Sequence, residues 1–319
     1  MLVKMFFSLV TAAVLALCAV NTPVFAENAA VSRQAPTLNN RYYYDQLRSN
    51  EKKLYDRAIE ALETGEESVY FADLNLDYDS FAKVCDALRK DSYQFNLIDM
   101  FGGGSGYWST SAGSNISMYF DYTDDPATRA ARTEFEDRIA RIVEEANKRP
   151  TDYEKLKFIH DWLADNTVYL DDDTIDYIIH KANGPILNGV AVCSGYAYAF
   201  QYLAQSMGFD CIYVSGLGYR GDTSSLHAWN MVKLDGEWYN VDVTWDDGNT
   251  VKYNYFLKGE KTFTASGTEH IPDSDFTYPQ ARNDYVPPKS VFSVVLTVLC
   301  VLAGGILAVF IFRSYRKRR

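Results

Sequence analysis

Cys193 follows the apolar run Val190, Ala191, Val192 and opens a helical pattern in which Ala197, Phe200, Leu203, Ala204 and Met207 share a face until Gly208 stops it. A thiol in the first turn of a helix meets unpaired N–H groups and the positive end of the helix dipole, which stabilise its thiolate. Cys193 is therefore placed as a nucleophile, and Gly195 beside it leaves room for a substrate backbone to come close. A strand is expected from Cys211 to Leu217, then a polar loop through Ser225, then a hairpin whose register can be read. Asp235-Gly236 is a favoured two-residue turn, so Leu234 pairs with Glu237 and paired residue numbers sum to 471. His227 then lies opposite Thr244 and Trp229 opposite Asp242, all four on one face, with His227 and Asp242 diagonal neighbours about 7–8 Å apart. The other face carries Ala228, Val232, Leu234, Tyr239, Val241 and Val243, a core surface. The arrangement predicts a thiol (Cys193) activated by a base (His227), with an acid (Asp242) fixing the tautomer of that base.

Other residues compete for roles around this trio. His160 and Tyr169 are candidates to line a cleft, with helix packing the alternative for His160; Trp229 is a third cleft candidate, although Trp229, Trp238 and Trp245 are most simply core. His270 falls in a loop with no visible partner. Asp171, Asp172 and Asp173, and Asp246 with Asp247, lack the alternating spacing of a calcium loop and read as a solvated acidic face. No CxxC or His-rich spacing points to zinc, so neither metal nor cofactor is expected. A Cys193–Cys211 disulfide would instead leave a catalytically silent ectodomain that binds envelope proteins or glycans through its aromatic residues. An ion held by Cys193, His227 and Asp242 is a third possibility.

The elements that must position these residues divide by type. Helices are expected over 50–63, over 79–90 with Cys85 facing the core, over 126–148, and from a capping box at Thr151–Glu154 through Leu163. Residues 102–113 form a Gly/Ser-rich loop and 116–122 a strand. Helix-rich before Cys193 and strand-rich after it, the order predicts an α+β fold.

The motifs G-V-A-V-C-S-G-Y-A, L-H-A-W-N and W-Y-N-V-D-V-T-W-D, with I-H-D-W-L at 159–163 and Y-F-L at 255–257, resemble the transglutaminase-like superfamily, which shares the papain-like cysteine proteinase fold. The resemblance covers about 150–285; residues 41–149 resemble the helix-rich N-terminal extensions of exported bacterial members. It implies a Cys-bearing helix packed on an antiparallel sheet that bears His and Asp. It also implies Cys193, His227 and Asp242 as the triad, a thioester formed on an amide substrate, and an oxyanion met by the Cys193 N–H and one further donor; the Gln or Trp usual in related enzymes is not evident, and Asn188, five positions upstream, is the candidate for that donor.

Composition bounds the setting. At 319 residues, with 47% hydrophobic and 15% aromatic residues, the chain has length for about two packed units and is neither disordered nor collagen-like. Residues 1–26 read as a secretory signal peptide and 27–40 as a spacer. Ser290–Phe312 is an uncharged stretch of 23 residues followed by five cations in 313–319, which predicts a transmembrane helix and a cytoplasmic tail. The ectodomain then stands outside the cell, meets protein or peptide substrate at the surface, and touches the membrane through 290–312. The Thr-Gly pair of a wall-sorting signal is missing after Pro287-Pro288. Between residues 27 and 289 there are 25 basic and 42 acidic residues, a net of −17, a field that repels phosphate backbones and argues against a nucleic-acid partner.

Overall fold

The chain is described here from a computed structural model, which covers residues 41–100, 104–109, 116–121, 125–170, 177–265 and 268–288. The expected signal peptide (1–26) and spacer (27–40), the acidic run at 171–173, the apolar span 290–312 and the basic tail 313–319 lie outside the described residues. Among the described residues no helix is long and apolar enough to cross a membrane.

Helix α1 (Ser49–Thr64) buries Leu54, Tyr55, Ala58 and Ala61 and ends at Gly65, whose φ of 75° gives the left-handed cap that glycine adopts at least cost. Strand β1 (Ser68–Tyr70) follows, then α2 (Tyr78–Asp91), capped by the Asp77 carboxylate taking the Ser80 N–H, and α3 (Tyr93–Met100). Strands β2 (Gly104–Ser109) and β3 (Ile116–Asp121) complete an antiparallel sheet in the order β1-β3-β2. Part of the expected 102–113 loop is thus a strand, because β3 supplies a ladder partner from Gly104↔Asp121 to Ser109↔Ile116. Helix α4 (Pro126–Asn147) starts at Asp125, which takes two backbone N–H groups, and α5 (Asp152–Asn166) starts at Thr151, which takes the Glu154 N–H as its sequence predicts.

Two-residue strands β4 (Val168–Tyr169) and β5 (Val190–Ala191) then pair in parallel and deliver the chain into α6 (Cys193–Ser206). After it come β6 (Cys211–Arg220), β7 (Thr223–Leu234), β8 (Glu237–Val241), the single-turn helices α7 (Val243–Asp246) and α8 (Glu260–Phe263), and β9 (Thr268–Pro272). The sheet is antiparallel with strand order β8-β7-β6-β9. The β7–β8 pairs run from Leu234↔Glu237 to Asn230↔Val241, the predicted register, through a turn in which both Asp235 (φ 52°) and Gly236 (φ 87°) are left-handed.

Both faces of this sheet are covered. Ala228, Val232, Tyr239 and Val241 pack with α4, α5 and α6, whereas Ile212, Val214, Trp229 and Met231 pack with α1 and α2. The face expected to be less apolar is therefore a second core, supplied by the N-terminal extension. Helix α6 runs between neighbours and buries every residue from Gly195 to Ala204, so its apolar surface wraps all round rather than along one face.

A buried cation ties the extension to the sheet. Lys90 Nζ, on α2, lies 2.8 Å from Asp86 and 3.1 Å from Asp273, the residue after β9, and Asp273 also accepts from Ser215 and Tyr278. Lys90→Met would leave the two carboxylates facing each other without their cation. We expect it to lower the unfolding free energy by about 3 kcal/mol, measured as a shift in the urea midpoint.

Candidate active site

Cys193 is the first residue of α6 and is half-buried; Cys85, Cys193 and Cys211 are all free thiols. Burial separates the three: it pushes the Cys85 thiol up to about 12 and the fully buried Cys211 thiol well above its ordinary value. The Cys193–Cys211 disulfide considered from the sequence is not formed. Gly195 is close-packed, but against the chain itself: a Cβ there would lie 2.5 Å from the Ile179 carbonyl oxygen and 2.9 Å from Ala191 Cβ. Its absent side chain makes room for the loop before β5, not for substrate.

His227 lies on β7, and Asp242 lies one residue past the end of β8. The strand stops there because aspartate is a strong helix cap: Asp242 Oδ1 takes the Trp245 N–H at 3.1 Å and starts α7, so the predicted pairing of Thr244 with His227 does not form. The capping geometry leaves Oδ2 free, and it meets His227 Nε2 at 2.7 Å. A third residue, His270 on β9, places its Nε2 3.0 Å from the same oxygen. Both histidines and the carboxylate are buried. Among the described residues these three are the group whose ligand atoms, all within 4.8 Å of one another, could gather a metal ion, and in this structure hydrogen bonds to Oδ2 join them.

The charges follow from these contacts. Burial is the strongest single influence on His227 and opposes its protonation; the Asp242 charge and hydrogen bond, with a further bond to Cys193, outweigh it and push the imidazole up to about 10. Burial likewise opposes the Asp242 anion, and His227 together with His270 holds it well below the usual carboxylate range. Since Nε2 of His227 is taken by Asp242, Nδ1 is the nitrogen left for the sulfur. The indole of Trp245 stacks on His227 with centroids 4.9 Å apart, and the Arg220 guanidinium stands 4.6 Å over that indole. An open cleft of about 430 Å³ reaches His227 and is lined by Tyr169, Arg220, Ser225, Leu226, Trp245 and Asp247 among others.

Residues 139–243 match the family model described as the transglutaminase-like superfamily, and the match contains Cys193, His227 and Asp242. That segment belongs to the transglutaminase-like superfamily. Kyphoscoliosis peptidase of Homo sapiens is 27% identical over 191 residues, 52% of this chain and 28% of that protein, and the Mus musculus protein of the same name is 29% identical over 157 residues, 43% and 23%. This chain thus spans about a quarter of the length of those relatives. Among solved structures, a TGase shares 17% identity over 60% of this chain and 58% of that one with a TM-score of 0.34. A putative cysteine protease from Cytophaga hutchinsonii shares 16% over 59% and 80% with a TM-score of 0.31.

Around the trio, the transglutaminase-like domain sorts the remaining candidates. Tyr169 lines the cleft as expected. Trp229 does not: it is 2% exposed and faces the core beneath the N-terminal extension. His160 is wholly buried, held by Asp161 at 3.1 Å and Asp246 at 3.2 Å and packed on Phe256, so helix packing is its role. Asn188 is exposed at the end of the π-helical turn Gly184–Asn188 and takes no part in the hydrogen bonds that join His227, Asp242 and His270. Asp246 and Asp247 are not a solvated face: Asp246 is buried and accepts the Asn254 and Tyr255 N–H groups, while Asp247 takes the Tyr196 hydroxyl at 2.6 Å. Trp245, expected in the core, is instead the lid on the His227 ring. His270 was expected in a loop without a partner; β9 pairs with β6 and carries it to Asp242. Its signal in the sequence was Gly216 and Gly218, two residues apart in one strand, which mark a close approach.

Proposed function

We propose that this chain is a thiol enzyme that attacks protein or peptide amides through a thioester on Cys193. The observation that carries the reading is the fixed His227 ring, bonded through Nε2 to a buried carboxylate and offering its other nitrogen to a sulfur at the start of a helix. The thiolate attacks the carbonyl carbon, a C–S bond forms, and the oxyanion develops beside the first N–H groups of α6. His227 gives its proton to the leaving nitrogen as the C–N bond breaks. Water or a second amine then attacks the thioester, His227 takes the incoming proton, and the thiolate departs. Asp242 keeps its charge throughout and holds the ring in place. The name of the mammalian relatives favours water as acceptor, that is, a peptidase; an amine acceptor would make the chain a transglutaminase. We place the enzyme outside the cell, exported by the signal at 1–26 and retained by the span at 290–312 with the basic tail inside. The support is the run of uncharged residues followed by five cations.

Limiting iodoacetamide at neutral pH should label Cys193 ahead of Cys85 and Cys211, whose thiols burial holds protonated, with peptide mass spectrometry assigning the site. Cys193→Ala should remove that label. Labelling of Cys85 or Cys211 first, or recovery of Cys193 in a disulfide, sinks the reading. Trapping an acyl-enzyme from envelope extracts would then identify the donor.

A further inference from the structure

We propose that His270 is a positioning residue that locks the Asp242 carboxylate and, through it, the His227 ring; the inference rests on the thiol-enzyme reading above. Two imidazole N–H groups converge on Asp242 Oδ2, His227 at 2.7 Å and His270 at 3.0 Å, while Oδ1 is taken by the Trp245 backbone. With His270 present the carboxylate is held from three sides and cannot turn about its Cβ–Cγ bond without breaking a bond to a group that is itself immobile. Without His270 the oxygen facing His227 has one partner, the very group it must orient.

The surroundings of His270 argue that its N–H is the reason for its presence. The ring is 3% exposed and lies in an aromatic box, 4.0 Å from Phe263 and 4.2 Å from Trp245 between centroids, with Trp229 and Tyr255 beyond. A phenyl ring would fill that box without a polar atom. His270 instead buries an Nδ1 that has no hydrogen-bond partner, an uncompensated cost. Its one productive polar contact is the bond to Asp242, which requires a proton on Nε2. His270 lies outside the matched segment 139–243, on a strand that reaches the site by pairing with β6.

The test compares His270→Phe, which keeps the ring and removes the donor, with His270→Gln, which keeps an N–H at similar reach. The full chain is assayed by the rate of Cys193 alkylation with iodoacetamide between pH 5 and pH 9. With one net hydrogen bond at stake, Phe should slow the reaction at pH 6 by roughly tenfold and move the acidic limb of the profile to higher pH, whereas Gln should stay within about twofold of the parent. In the unsubstituted protein a long-range 1H–15N spectrum should show a proton on His270 Nε2. This second measurement decides the matter if the variants do not fold. A folded Phe variant with the parent profile, equal losses in Phe and Gln, or the absence of a proton on Nε2 would each overturn the inference. Slow labelling of Cys193 in the parent itself would strike the thiol-enzyme reading instead, so the two failures are distinguishable.

Discussion

Asp242→Asn should slow alkylation of Cys193 at pH 6 by about 30-fold, with the two proteins converging as pH approaches 9. In the parent, the carboxylate overcomes burial and pushes His227 up to about 10, so the ring carries its proton across the neutral range and compensates a sulfur anion beside it. The carboxamide can still accept a hydrogen bond from His227, but it brings no charge. Burial, the largest influence on the ring, is then opposed only by Cys193, which shifts the imidazole towards its neutral form. Without a cationic partner the sulfur loses the charge that favours its anion, and the greater nucleophilicity of the more basic sulfur recovers part of that loss. Parallel pH–rate profiles for the two proteins would remove Asp242 from the site. Stability carries the same signature. The His227 pKa is raised on folding, so its contribution is complete below about 6.5 and is lost as pH rises through about 10. The Asp242 pKa is lowered, so its contribution is complete above about 3.9 and is lost as pH falls. The gap in urea midpoint between parent and variant should therefore be widest from about pH 4 to 6.5 and should shrink towards pH 10.

What could be read from the sequence was what neighbouring residues decide. The Asp235-Gly236 turn sets the β7–β8 register by itself, so His227 and Asp242 could be brought together from a two-residue signal. The detail failed where two local preferences competed: Asp242 continues an alternating strand pattern, yet capping α7 satisfies an N–H and wins, and the His–Asp bond survives because only one carboxylate oxygen is used. His160 sits beside Ile159 on a helix whose buried face was visible, but its partner Asp246 is 86 residues away and no periodicity connects them. His270 and Trp245 were misplaced for the same reason, since β9 joins the sheet by a pairing that only the folded chain reveals. The second core face escaped because Trp229 and Met231 are covered by α1 and α2, elements with no local link to the hairpin they cover.

Gly216→Ala and Gly218→Ala, two residues apart on β6, should both slow alkylation but differ in stability. A Cβ on Gly216 would strike the Ile271 carbonyl oxygen and stand 2.8 Å from Pro272 Cα, both backbone of β9. Backbone cannot rotate aside, so β9 must move off β6, and His270 with it. We expect a loss of about 3 kcal/mol in unfolding free energy together with impaired Cys193 alkylation. A Cβ on Gly218 would stand 3.0 Å from Cβ and Cγ of His227 and from an indole carbon of Trp245, so the crowding falls on the catalytic side chain and its lid rather than on a neighbouring strand's backbone. Stability should change by about 1 kcal/mol or less, while the alkylation rate at pH 6 falls roughly tenfold because the atoms that give are the ring and its lid. Urea unfolding and iodoacetamide kinetics on the two variants separate the cases. If Gly218→Ala costs stability and spares reactivity, the His227 ring is not held where the chemistry needs it, because a displacement that leaves the rate untouched means the rate does not depend on that ring's position.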